Sequence, residues 1–95
     1  MDQIKIKKRD RLEVIFDILK NISENHNSIK PTPLLRSSNL SSSSFGEYYN
    51  ELIIKEFVKE IVDIRGRKYI TLTDKGFKFL EKYRVIKGLI EEFEL

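Results

Sequence analysis

Cysteine and tryptophan are absent from this chain of 95 residues, and histidine and methionine each occur once. Without cysteine there is no disulfide frame, no thiolate metal site, no cysteine nucleophile and no thiol redox sensor. Long apolar runs are missing too. None approaches the roughly 20 residues that span a bilayer, and no charged-then-apolar leader opens the chain, so no membrane partner is expected and the expected place is the cytoplasm. Glycine is scarce, with four residues in all, and no glycine-rich phosphate loop, nucleophile elbow or metalloprotease helix motif is present. His26 sits in the polar run Glu24 to Ser28 with no second ligand near it in sequence, and reads as an exposed loop residue. Carboxylates are plentiful but spread over helix faces opposite lysines, and Glu91, Glu92 and Glu94 read as a solvated acidic end. The expectation is a protein without catalytic residues, metal or cofactor, and not an enzyme.

What the chain does have is charge, at 35% of residues for a net of only +3. Residues 1–11 hold Lys5, Lys7, Lys8, Arg9 and Arg11 against Asp2 and Asp10, a net +3. Arg65, Arg67 and Lys68 add another +3 within four residues, so the rest of the chain is acidic by three. Two basic patches on a nearly neutral body point to an anionic partner more than an even spread would.

The stretch from Ser41 to Thr73 organises the rest. Phe45, Tyr48 or Tyr49, Leu52 and Ile53 fall at helical spacing after a run of four serines. Serine side chains accept from the free N–H groups of a first turn, so the start lies within Ser41 to Ser44. Ser41 is a good cap, and Ser44 with Glu47 equally matches a capping box. Phe57 to Ile64 and Tyr69 to Thr71 then read as strands, rich in β-branched and aromatic residues. Gly66 lies in the turn between them, which carries Arg65, Arg67 and Lys68. Those three cations are either a solvated hairpin tip or a set of phosphate contacts. Directly after such a helix the second reading is favoured.

Upstream, Met1 to Lys8 alternates weakly and reads as a basic arm. Asp10 caps a helix to about Ser23 whose apolar stripe is Leu12, Ile15, Phe16, Leu19 and Ile22. Ile29-Lys30 forms a short strand able to join the sheet. Thr32 as cap with Pro33 at the first position starts a short helix to Ser38, with Leu34 and Leu35 inward and Arg36 outward. Asn39-Leu40 turns into the next helix, which completes a helix-turn-helix. The last helix runs from Asp74 to Phe93, about 30 Å at 1.5 Å per residue. Phe77 and Leu80 should seal the core. Phe79, Tyr83, Ile86, Ile90 and Phe93 alternate steps of four and three out to the end, flanked by Val85 and Leu89. That is more apolar surface than one small domain needs, so these five are the expected seam of a homodimer, paired as a coiled coil.

The expected fold is therefore α+β and mainly helical: a winged helix-turn-helix with a long C-terminal helix. The expected organisation is a basic arm at 1–8, a winged-helix body at 9–73 and a dimerisation helix at 74–95. Several runs carry a family resemblance. These are Arg11 to Leu19, Asn39-Leu40-Ser41, Glu47-Tyr48, and Tyr69-Ile70-Thr71-Leu72-Thr73-Asp74-Lys75-Gly76. Over residues 9–93 the chain resembles small archaeal winged-helix proteins, which include ten-kilodalton chromatin-associated DNA-binding proteins and many predicted transcription regulators. The last of the four runs is common to winged-helix domains at large. Two departures stand out. The family tends to place glycine where Glu56 stands, so Glu56 is expected to end its helix by another geometry. The chromatin-associated members also have a longer last helix, which pairs antiparallel with its copy.

The expected function is binding of double-stranded DNA by a homodimer in transcription regulation or chromatin, at the nucleoid. Helix three would enter the major groove while basic residues neutralise phosphates. The residues expected to serve are Lys7 and Lys8 in the arm, Arg36, Ser41, Ser42, Ser43, Ser44, Glu47 and Asn50 around helix three, and Arg65, Arg67 and Lys68 in the wing. The alternative is a protein-interaction module on the same fold. It is favoured by Glu47 and Glu51 on helix three, where Lys55 is the one base.

Overall fold

The computed structural model describes residues 10–95. The element order is α1 (Arg11–Glu24), α2 (Pro31–Ser38), α3 (Ser42–Ile54), β1 (Val58–Val62), β2 (Lys68–Leu72) and α4 (Asp74–Glu92). β1 and β2 pair antiparallel, with Val58 opposite Leu72 and Val62 opposite Lys68. Ile29 adds one bridge on the other edge of β2, exchanging backbone bonds with Ile70 at 3.2 and 2.8 Å. This is the expected mainly helical α+β architecture with a hairpin wing and a long last helix.

Asp10 caps α1 through a reciprocal box. Its carboxylate accepts from Glu13 N at 2.8 Å while the Glu13 carboxylate accepts from Asp10 N. α1 buries Val14, Ile15, Phe16, Ile18, Leu19 and Ile22, a band wider than the expected stripe. The reason is position: α1 packs against α2, β2 and α4 at once. Leu12 lies one turn before that packing begins and stays 49% exposed.

α2 begins two residues earlier than expected. Its N-cap is Lys30, with no side-chain bond, and both prolines fall in the first turn, where a missing N–H costs nothing. Leu34 is buried and Leu35 packs partly against the core. The tight turn to α3 uses Asn39 in left-handed backbone (φ 60°). Ser38 is buried there and its hydroxyl donates to Leu35 O at 2.6 Å and accepts from Leu40 N at 3.2 Å.

Ser41 is the cap of α3, accepting from Ser44 N at 3.1 Å. The other end corrects an expectation. Glu56 takes the left-handed conformation itself (φ 63°), although it carries a Cβ. Glu56 N donates to Ile53 O at 3.0 Å and Phe57 N to Leu52 O at 2.9 Å, the paired bonds of a Schellman ending.

α4 is capped by Thr73, whose hydroxyl accepts from Gly76 N. Gly76 lies against the Phe57 carbonyl oxygen, where a Cβ would overlap it. Leu80 is buried as expected, but Phe77 is 43% exposed, and the inward place goes to Tyr83 instead. Tyr83 packs on Phe16 with ring centroids 5.1 Å apart, and Phe79 stacks on Tyr83 at 5.6 Å. Beyond Tyr83 the helix leaves the core, and the molecule measures 55 × 26 × 22 Å.

Candidate nucleic-acid interface

α3 turns Phe45 and Leu52 into the core, with Tyr48, Tyr49 and Ile53 packed partly against it. Its opposite face carries Ser43, Glu47 and Asn50, and all three are exposed, as is Ser42 in the first turn. Ser41 and Ser44 are committed to the cap, one by its hydroxyl and the other by its N–H. The free N–H groups and dipole of this end favour an anion in front of it. Arg36 is exposed on α2. Lys7 and Lys8 of the arm lie outside the described residues.

The wing is ordered by one carboxylate. Asp63 Oδ1 accepts from Arg65 N and Arg67 N, each at 2.9 Å, and Oδ2 accepts from Arg67 Nε at 2.8 Å. Asp63 N donates to Arg67 O and Asp63 O accepts from Gly66 N, with Gly66 at φ 80°. Hydrogen bonds from the Arg67 backbone and side chain hold the Asp63 carboxyl below its ordinary range. Of the three expected wing cations, Arg67 is therefore paired. Lys68 stands 3.5 Å from Glu60. Among the described residues, Arg65 has no side-chain partner, and beside it Ile64 is fully exposed.

The same pattern recurs at the far end of α3. Glu51 takes Arg11 from α1 in a two-pronged pair and Lys55 at 2.8 Å. Its carboxyl is pulled down to about 2, first by the hydrogen bond from Arg11 and then by that from Lys55. Tyr49 on α3 donates its hydroxyl to Glu60 on β1. These carboxylates are the feature that reading the sequence missed. Asp63 with Arg67 and Glu51 with Lys55 are visible as i, i+4 pairs. The link from Arg11 to Glu51 spans 40 positions and has no local signal.

The expected seam on α4 divides in two. Phe79 and Tyr83 are turned toward the chain's own core, whereas Ile86, Ile90 and Phe93 are exposed together with Val85 and Leu89. Among the described residues no group of three acidic or histidine side chains is placed to hold a metal ion. Among the described residues no helix is long and apolar enough to cross a membrane.

A helix-turn-helix presenting an exposed helix face beside a basic hairpin defines a winged-helix protein. The chain belongs to the winged helix-turn-helix family, whose profile matches residues 8–91. It is 32% identical over 83 residues to the uncharacterized protein MJ0290 of the archaeon Methanocaldococcus jannaschii, covering 87% of this chain. It spans only 36% of that relative's length. Among solved structures, F-93 of SSV1 is similar at 26% identity with a TM-score of 0.68, over 94% of this chain and 99% of that one. Sso10a-2, a DNA-binding protein from Sulfolobus solfataricus, shares the fold at 20% identity and a TM-score of 0.67, over 90% of each chain. The family matched is a winged helix-turn-helix family, not an enzyme family.

Proposed function

We propose that this chain binds double-stranded DNA as a homodimer and regulates transcription or organises the nucleoid. α3 enters the major groove and the wing rests on the flanking backbone. The observation that carries this reading is the outer face of α3. Ser43, Glu47 and Asn50 are exposed on the side opposite Phe45 and Leu52, with Ser42 exposed in the first turn, and the hairpin presents Arg65. Asn50 is the side chain suited to a base edge, and the serines suit phosphate oxygens. Among the described residues Arg36 and Arg65 have no ion-pair partner and supply positive charge, to which Lys7 and Lys8 of the arm are added. The name of Sso10a-2 as a DNA-binding protein supports the same direction.

The homodimer reading rests on Ile86, Ile90 and Phe93, exposed with Val85 and Leu89 on the half of α4 that leaves the core. A second copy laid along this half removes that surface from water. It also sets two α3 helices on one duplex if they lie about 34 Å apart or a multiple of it.

A protein-interaction module is the second reading. Its support is that Glu51, Glu60 and Asp63 already pair with Arg11, Lys55, Lys68 and Arg67, while Ile64 at the wing tip is bare. Titrating duplex binding against salt separates the two. DNA binding requires affinity that falls linearly on a log–log plot against salt. Absence of binding at low salt overturns the DNA reading in favour of the interaction module.

A further inference from the structure

We propose that Glu60 is a positioning residue that couples the seating of α3 on the duplex to phosphate contact at the wing. This deepens the DNA-binding reading and rests on it. One oxygen of Glu60 accepts the Tyr49 hydroxyl, and the other faces the Lys68 ammonium at 3.5 Å.

The sheet's pleat brings the three groups together. Glu60 stands opposite Ile70, so Lys68, two residues along β2, is its diagonal neighbour on the same face. Tyr49 arrives from above. Its ring stacks on buried Phe45 with centroids 5.8 Å apart and planes 14° apart, which leaves the hydroxyl aimed at β1. Among the described residues this is the side-chain hydrogen bond that ties α3 to the wing strands. Burial, then the bond to Glu60, pushes the Tyr49 hydroxyl above its ordinary range, so it remains a donor at any working pH.

Stability alone gives little reason for this arrangement. Lys68 and Glu60 are both substantially exposed, and an exposed pair of that kind contributes little. A carboxylate beside the wing also repels phosphate. The shared acceptor has a different consequence. When a phosphate draws Lys68 away, the charge of Glu60 rests on Tyr49 alone, and that charge-assisted bond tightens. When α3 shifts and the Tyr49 bond opens, the whole carboxylate is free to hold Lys68 off the backbone. The two contacts with DNA are thereby linked, and the linkage is reciprocal.

A double-mutant cycle on duplex binding tests this. Affinity and salt slope are measured for the parent, Tyr49→Phe, Lys68→Met and the pair, and all four are repeated with Glu60→Gln. Lys68→Met should lower the slope by part of the roughly 0.9 of a full phosphate contact, less than Arg65→Ala does, and Tyr49→Phe should weaken binding with the slope unchanged. The pair should depart from the product of the single effects by about threefold or more. That departure should vanish in the Glu60→Gln series. Without DNA, Lys68→Met should shift the NMR signals of the Tyr49 ring, and should not do so in Glu60→Gln. Effects that simply multiply, a departure that survives in Glu60→Gln, or unmoved Tyr49 signals overturn the coupling while leaving DNA binding intact. A folded parent that binds no duplex overturns both readings.

Discussion

Arg11 at the first position of α1 and Glu51 in the last turn of α3 are joined by two parallel hydrogen bonds, Nη1 to Oε1 at 2.8 Å and Nη2 to Oε2. The pair straps the start of the chain's first helix to the end of its third. Because it holds the Glu51 carboxyl at about 2, against 4.5 for the free group, it links folding to pH. A depressed carboxyl favours the folded state above its unfolded value and loses that contribution as pH falls toward the folded one. The melting temperature should therefore decline between about pH 4.5 and 2, and Glu51→Gln should show a shallower decline over that window. Parallel melting curves for the two proteins would show that the strap carries no linkage.

Glu56 occupies a position that suits glycine. Left-handed backbone costs a residue with a Cβ about 1–2 kcal/mol, of which the greater freedom of unfolded glycine returns about half. Glu56→Gly should raise stability by about 0.5–1 kcal/mol, a gain of a few degrees in melting temperature for a domain of this size. Calorimetry or chemical denaturation checks it. A loss of stability would mean that the Glu56 side chain makes a contact worth more than the strain.

The wing cations differ in what they are free to do. Arg67 is held by Asp63 and Lys68 faces Glu60, whereas Arg65 is unengaged among the described residues. Replacing all three by Ala should weaken binding to every duplex sequence and flatten the salt slope by up to about 0.9 per lost contact. Arg65→Ala alone should produce the largest share. Equal effects from the three single variants would show that the internal pairs open freely on DNA.

Of the four serines, Ser42 and Ser43 are the ones to change, since Ser41 and Ser44 make the cap. Glu at positions 42 and 43 should abolish duplex binding with the fold intact, because the first turn of a helix accepts acids readily. Ser41→Ala should instead cost about 1 kcal/mol of stability. Retained binding with Glu at 42 and 43 would turn this end of α3 away from the duplex.

Ile86→Glu with Ile90→Glu tests assembly. Both residues are exposed and both lie beyond the buried part of α4. Sedimentation at micromolar concentration should give a dimer for the parent and a monomer for the variant, with the monomer still folded. A parent that is monomeric throughout removes the dimer and any symmetric operator with it.

Much of this was readable from local pattern. Asp10 before Arg11, Thr73 before Asp74, and Gly66 between two β-branched runs each act within a few residues, and each of these elements formed where its signal lay. Failures came where tertiary packing decides. Phe77 and Tyr83 both sit at apolar positions of one helix, and only the place of α1 determines that Tyr83 goes inward against Phe16. Leu12 continues a stripe whose packing partners have already ended. Thr32 with Pro33 put the start of α2 two residues late, because proline is accepted anywhere in a first turn and Pro31 opens the helix. The candidate interface was the least readable part. Its positive residues announce themselves by type, but their availability depends on Glu51 of α3, Glu60 of β1 and Asp63 just beyond it.

The crowding of Gly76 against Phe57 has a mechanical side. Phe57 O accepts from Thr73 N at 3.1 Å and from the Thr73 hydroxyl at 3.2 Å, Glu56 O accepts from that hydroxyl at 2.5 Å, and Lys75 Nζ reaches Lys55 O at 2.8 Å. The exit of α3 and the entry of α4 are thus joined by one backbone bond, from Thr73 N to Phe57 O, and by the Thr73 and Lys75 side chains, which reach three successive carbonyls at Lys55, Glu56 and Phe57. Through this joint the half of α4 that projects from the body is tied directly to the end of α3, the helix that faces outward.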